Sequence, residues 1–177
     1  MRKKFITASL LCFFIMHALG QSQKKISTTL LAQYNHTFYD RTIGNNPWSM
    51  GLGIQALLNN KTRFKPTIEI TGDTYLASDK VQRINIDYTP VDDVQGMVNV
   101  LAGASYCPGD NVYLSLVAGP SFIGLHTYFG IKPSFGFYFS KTKRWTGKIS
   151  FINVFNRDKF THEDFGSLSV ALGLRLF

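Results

Sequence analysis

The residues best suited to chemistry in this chain are two histidines that stand beside oxygen-bearing side chains. His126 is followed by threonine and tyrosine, and His162 is followed by Glu163 and Asp164. Hydrolysis by a nucleophile, a base and an orienting acid needs three groups that converge on one point. Neither histidine has a serine at a short matching spacing. The sequence therefore favours histidines that contact water at a rim or in a loop, and we assign no catalytic residue and no metal ligand.

A second group of ionisable side chains lies inside segments that are otherwise apolar. Such charges cannot pack into a dry core unless they are paired, but they can face a polar interior. Two interpretations stay open, namely ion pairs that plug a narrow interior and a gated polar path for small ions. The predicted polar network consists of Lys65, Glu69, Asp73, Lys132, Lys148 and Arg175.

The segments that must position these charges alternate apolar residues with small or polar ones. The last of them reads FGSLSVALGLRLF, with leucine or valine at every second position opposite serine, alanine, glycine and Arg175. A period of two predicts a β-strand with one apolar face. The predicted strands are Ser27–Phe38, Pro47–Leu58, Phe64–Asp73, Val94–Tyr106, Val112–Phe122, Phe129–Ser140, Trp145–Phe155 and Phe165–Phe177.

Strand length and connection length both indicate a barrel that crosses a bilayer. A tilted transmembrane strand needs about 9–11 residues, which these segments supply. The connections after the second, fourth and sixth predicted strands are tight, and those after the first, third and seventh are longer and charged. Short periplasmic turns and long extracellular loops give this asymmetry, with both chain termini on the periplasmic side. Pro66, Pro120 and Pro133 stand against the pattern, because each removes a ladder donor.

Aromatic residues cluster at the ends of the predicted strands, and aliphatic residues occupy the outward positions between them. Amphipathic rings favour both membrane–water interfaces, so this spacing predicts two aromatic girdles. By the alternation of the last strand, Phe177 falls on the same face as Arg175 and not on the face that carries the leucines. The orientation of Phe177 therefore stays open. The predicted interface aromatics are Trp48, Phe64, Tyr106, Phe139, Trp145 and Phe177.

The first 20 residues predict a secretory signal. Arg2, Lys3 and Lys4 precede an apolar run from Phe5 to Leu19, and Ala18-Leu-Gly20 suits cleavage before Gln21. We therefore divide the chain into a cleaved signal peptide, 1–20, and one domain, 21–177. Cleavage would lower the net charge from +8 to about +5 by removing three cations.

Several other classes of protein are disfavoured by composition. No further stretch approaches 18 continuous apolar residues, which argues against helical membrane spans. No basic helix, zinc-ligand spacing or aromatic RNA-binding motif is present, so we expect no nucleic-acid partner. Cys107 is the one cysteine outside the predicted signal, so no intramolecular disulfide is expected in the mature chain.

Together these features resemble the small outer-membrane β-barrel domain family of Gram-negative bacteria, in its PorT-like branch, and the OmpA/OmpX-like eight-stranded barrels. The resemblance covers about residues 27–177. It rests on Gly51-Leu-Gly53, Ala118–Ser121, Lys132–Phe137 and the Leu-Gly-Leu-Arg-Leu-Phe end. It implies an all-β, eight-stranded antiparallel up-and-down transmembrane β-barrel in the cell outer membrane, without a cofactor.

The resemblance implies location and fold more than activity, and we add expectations for partners and a role. The expected partners are outer-membrane lipid, lipopolysaccharide and, during insertion, the barrel-assembly machinery, with the protein otherwise a monomer. The expected role is non-enzymatic, either structural or in surface interaction. Two alternatives stay open, a lipid-modifying barrel enzyme and a narrow, porin-like pore for small solutes. The lipid A deacylases use a His-x-Ser pair, and His126-Thr-Tyr lacks that serine.

Overall fold

The computed structural model describes residues 26–38, 42, 46–76, 94–139, 142–155 and 164–176. These residues form one closed barrel in which every strand pairs antiparallel with its sequence neighbours and the last strand pairs with the first. The all-β, eight-stranded, up-and-down fold predicted from the sequence is confirmed. The strands are β1 (Ile26–Thr37), β2 (Trp48–Leu58), β3 (Phe64–Tyr75), β4 (Gly96–Tyr106), β5 (Val112–Ile123), β6 (His126–Tyr138), β7 (Trp145–Phe155) and β8 (Phe165–Arg175).

The stagger between strands fixes the tilt of the barrel. The row of paired residues that leaves β3 at Lys65 returns to β3 at Tyr75, ten residues farther along, after one circuit. The stagger of ten residues, each about 3.3 Å long, amounts to about 33 Å along the strands, and the circuit of eight strands about 4.8 Å apart is about 38 Å. The ratio of these two lengths corresponds to a strand tilt of about 40° from the barrel axis. An 11-residue strand at this tilt rises about 28 Å, close to the thickness of a bilayer core. The row runs through Lys65, Ser105, Ser115, Ser134, Ser150, Ser169, Asn35, Ser49 and Tyr75.

The two ends of the barrel differ in their connections. We call the end that carries the connections after β1, β3, β5 and β7 the loop end, and the opposite end, where β1 begins and β8 ends, the turn end. The β5–β6 connection at the loop end is a two-residue turn, in which Gly124 has φ 58° and Leu125 is fully exposed. Glycine at the first central position suits a hairpin turn of type II′. Because the turn is so tight, β6 begins at His126, three residues before the predicted start.

The three prolines lie where the ladder is already interrupted on one side. Pairing of β2 with β3 ends at Leu57–Thr67, one residue short of Pro66. Pairing of β4 with β5 is broken between Asn99–Ser121 and Ala102–Ala118, beside Pro120. Pairing of β6 with β7 breaks in the same way beside Pro133, while the β5–β6 ladder passes both prolines without a gap. Each missing N–H donor therefore falls at a site where the neighbouring strand makes no pair.

Burial is inverted relative to a water-soluble β-protein. Side chains alternate along each strand, because successive Cβ atoms point to opposite faces. The inward face holds fully buried charges, with Glu69, Lys132 and Lys148 at 0–1% exposure, whereas outward Leu52 is 66% exposed. Within the described residues no helix is long and apolar enough to cross a bilayer.

Candidate functional site: the barrel lumen

The centre of the lumen holds one carboxylate between two ammonium groups. Lys132 Nζ lies 2.8 Å from Glu69 Oε1, and Lys148 Nζ donates to Glu69 Oε2. Glu69 stands on β3, whereas the lysines come from β6 and β7 on the opposite wall, so the contacts reach across the barrel. Long lysine side chains suit this span, because each extends a charge on a flexible four-carbon stem. We call Glu69, Lys132 and Lys148 the ion triad.

Neutral side chains extend the ion triad. Gln55 is paired with Glu69 in the β2–β3 ladder, and its Nε2 donates to Glu69 Oε2 at 3.2 Å. The hydroxyl of Tyr113 donates in turn to Gln55 Oε1 at 3.4 Å. The Tyr113 ring fills the space that a side chain at position 136 would need, so the glycine there makes room for it. Charged and neutral partners together satisfy a carboxylate that has no access to water.

Asp73 belongs to a separate cluster nearer the loop end. Its Oδ1 accepts hydrogen bonds from Gln33 Nε2 at 2.5 Å and from Asn35 Nδ2 at 2.7 Å. Asn35 Nδ2 also contacts Ser49 Oγ at 2.8 Å. Asp73 is paired with Gly51, and its carboxylate occupies the volume where a Cβ on that glycine would lie. The partners of Asp73 in these hydrogen bonds are amides and not lysines.

The other two residues of the predicted network lie at the turn end. Lys65 is half-buried, and its Nζ donates to Asn59 Oδ1 at 3.3 Å. Arg175 is half-buried at the end of β8, where its backbone N–H donates to the carbonyl of Arg144 at 2.7 Å. The structure brings together Glu69, Lys132 and Lys148, and distributes the remaining three along the barrel axis.

An apolar cluster, which the sequence interpretation did not include, extends in the lumen from the level of the ion triad, where Leu101 is paired with Glu69, to the loop end. The rings of Tyr75 on β3 and Phe165 on β8 meet edge to face, with centroids 5.6 Å apart. Their neighbours come from β4, β5 and β7, so the cluster spans the mouth from several sides. We call it the apolar cap, and its members are Tyr75, Val94, Met97, Leu101, Val117, Ile123, Ile152, Val154 and Phe165.

The outward face carries aromatic residues near both ends. Trp48 at the loop end stacks on Tyr34 with centroids 5.1 Å apart, and Phe64 at the turn end lies 4.8 Å from the half-buried Tyr106. Trp145 is 45% exposed, also at the turn end. Phe139 is exposed just beyond β6, and Phe177 lies outside the described residues. The aliphatic band between these rings includes Leu52, Ile54, Ile68, Ile70, Leu114, Leu116, Ile149, Val170 and Leu172, all exposed.

The described histidines, His36 and His126, lie near aromatic rings. His126 is exposed at the start of β6, and its ring lies 6.1 Å from that of Tyr128. His36 contacts the rings of Trp48 and Phe38 on the outward face. His162 lies outside the described residues. Across those residues, no three His, Cys, Asp or Glu side chains group closely enough to hold a metal ion.

The closed barrel and its outward apolar band define the class of fold, that of the small eight-stranded transmembrane β-barrels. The chain is similar to Ail, the attachment invasion locus protein of Yersinia pestis, with a TM-score of 0.56 and 10% identity over 86% of this chain and 99% of that one. Neisserial surface protein A gives a TM-score of 0.51 and 11% identity over 85% and 95% of the two chains. A de novo designed transmembrane β-barrel gives 0.50 and 5% identity over the same shares.

At these identities the likeness describes the fold. No family model and no curated protein matches the sequence.

Proposed function

We propose that this chain is an exported outer-membrane β-barrel protein without enzymatic activity, acting in surface interaction or as a structural element. The observation that carries the proposal is the inversion of the barrel, with charges inside and an aliphatic band outside. Leu52, Leu116 and Ile68 are each more than half exposed, while Glu69 is fully buried. In water such a band would favour aggregation, whereas in a bilayer it contacts lipid tails.

The proposed location has support from sequence and fold. Residues 1–20 carry the features of a cleaved export signal, although they lie outside the described residues. A β-protein can span a membrane only if its sheet has no unpaired edge in the hydrocarbon. A closed barrel meets this requirement. We place the turn end in the periplasm and the loop end outside the cell.

Two similar structures and the loop lengths support the proposed role in surface interaction. One is described as an attachment protein and the other as a surface protein. The loop end of this chain joins its strands through segments of 9–20 residues after β1, β3 and β7, long enough to present binding residues. Lipopolysaccharide is the partner we propose around this end, and the barrel-assembly machinery is the proposed partner during insertion. We propose that the inserted protein is a monomer.

The lumen favours a plug over a pore. The ion triad crosses the centre, and the apolar cap fills the loop end, so an ion would have to break a buried salt bridge and enter an apolar region. An interior of eight strands is just wide enough for side chains to fill it. We therefore expect no stable conductance from the purified protein in planar bilayers.

Heat-modifiable gel mobility of the membrane-extracted protein tests the proposed function. An intact barrel migrates differently before and after boiling, because the closed sheet resists detergent at room temperature. We expect this shift, together with recovery of the protein in the outer-membrane fraction. A periplasmic product without a shift would contradict the proposal. An unchanged lipid A mass on deletion of the gene is the further expectation, and a changed mass would support the enzymatic alternative instead.

A further inference from the structure

Positive charge concentrates at the turn end of the barrel. Among the described residues, the β2–β3 and β6–β7 connections, the start of β3 and the end of β8 supply six cations, while Asp110 is the one anion described at this end. Asp110 contacts Lys143 at 3.0 Å, but its side chain is 94% exposed, so the pair is well solvated. We call the six cations the basic rim, and its members are Lys61, Arg63, Lys65, Lys143, Arg144 and Arg175.

The other parts of the chain do not share this charge. In the lumen, Glu69 and Asp73 balance Lys132 and Lys148. The segments that join strands at the loop end contain five cations and eight anions by sequence, a net charge of −3. Among the described residues, the excess of positive charge therefore lies at the turn end. A separation of charge along the barrel axis points to a partner that is anionic and lies at one end only.

The basic rim stands at the height of a membrane surface. Arg63 immediately precedes Phe64, and Arg144 immediately precedes Trp145, two exposed aromatic residues on the outward face. Aromatic rings of this kind favour the level of the lipid headgroups. Arg63 and Arg144 are themselves exposed, and the backbone hydrogen bond from Arg175 to Arg144 ties the ends of β7 and β8 together. The guanidinium groups thus flank residues that contact the outermost part of the lipid.

We propose that the basic rim, through Arg63 and Arg144 with Lys61 and Lys143 beside them, binds the phosphate headgroups of anionic phospholipids in the leaflet at the turn end. A guanidinium group presents paired N–H donors that match two phosphate oxygens, and the ammonium groups add charge attraction. Each cation near an anionic membrane surface raises the local lipid affinity about fivefold. The rim thereby selects its lipid neighbours and favours one orientation of the barrel. This inference rests on the proposed location in a membrane.

The two tryptophans of the chain make the inference testable within one molecule. Trp145 lies next to the basic rim, and Trp48 lies at the loop end. Trp48→Phe leaves fluorescence from the turn end alone, and Trp145→Phe leaves fluorescence from the loop end alone. Each variant is folded into phosphatidylcholine vesicles that contain either brominated phosphatidylcholine or brominated phosphatidylglycerol. Bromine quenches a tryptophan only at close range, so the ratio of quenching gives the lipid preference at each end.

We expect a preference of about fivefold or more for phosphatidylglycerol at Trp145 and none at Trp48. Arg63→Gln together with Arg144→Gln, in the Trp48→Phe background, should remove most of the preference, and 0.5 M salt should weaken it without any substitution. Equal quenching by both lipids at Trp145, or an equal preference at Trp48, would overturn the inference. If brominated phosphatidylcholine quenches neither tryptophan, the proposed membrane location fails instead, so the two failures are distinguishable.

Discussion

Removing the carboxylate of Glu69 tests the ion triad most directly. Glu69→Ala leaves Lys132 and Lys148 buried at about 1% exposure, without the anion that neutralises them. The two ammonium groups then repel each other in a space that excludes water. We expect a large loss in the free energy of unfolding, because an uncompensated buried charge is among the most costly changes in a protein.

The size of the loss follows from the geometry. At 2.8 Å and an effective dielectric constant of 20, the attraction between Lys132 and Glu69 is about 6 kcal/mol before desolvation. Desolvation of both groups offsets much of this attraction in the native protein. Removing Glu69 removes this attraction, but the two lysines still pay their desolvation cost. The expected loss in the free energy of unfolding is about 3–5 kcal/mol. The folding equilibrium would fall on the order of a thousandfold.

The assay is urea-induced unfolding in detergent micelles, followed by tryptophan fluorescence and by gel mobility. The matched control is Ser105→Ala, which removes a buried hydrogen bond to Thr67 Oγ1, 2.7 Å long, and should cost about 1 kcal/mol. A second variant replaces the whole triad with Glu69→Leu, Lys132→Met and Lys148→Met, and should be about as stable as the parent or more so. If Glu69→Ala loses no more stability than Ser105→Ala, the triad does not support the barrel as argued.

Two further predictions compare matched positions by the same unfolding measurement. Gly51→Ala places a Cβ where the Asp73 carboxylate lies and should cost about 1–3 kcal/mol, whereas Gly72→Ala faces open space on the neighbouring strand and should change stability by at most about 0.5 kcal/mol. Equal effects would show that Asp73 can move without loss. Leu52→Lys puts a charge near the middle of the outward band and should cost about 2–4 kcal/mol for folding into vesicles, against about 0–1 kcal/mol for Leu125→Lys at the hairpin tip. Equal costs at these two sites would contradict a bilayer at the level of Leu52.

Local alternation predicted the strands well, because a period of two reports directly which face each side chain takes. The predicted strand Trp145–Phe155 has the same bounds as β7. Leu31 is an apolar residue on the polar face of β1, and it is fully buried in the lumen, as that face predicts. The ends of strands were less well predicted. β8 ends at Arg175, and β4 begins at Gly96 instead of Val94.

The arrangement inside the barrel could not be predicted from alternation alone. Whether Glu69 meets Lys132 on β6 or a cation on another strand, such as Arg175 on β8, depends on the ten-residue stagger of the strands. That stagger is set by the turns and by closure together. The apolar cap has the same origin. Met97 and Leu101 lie on a face that also carries Asn99, so their meeting with Phe165 depends on how strands far apart in sequence line up in height.

The seam between β1 and β8 has a consequence for how long the folded barrel persists. Residues 29 and 175 are paired there, so opening the barrel separates the two ends of the folded sheet along a full ladder. In hydrocarbon the freed N–H and C=O groups find no water to bond, so the activation barrier to opening is high. The lifetime of the inserted protein is then governed by an unfolding rate and not by an equilibrium. A chain shortened before residue 165 would have no such seam and would lose this kinetic protection.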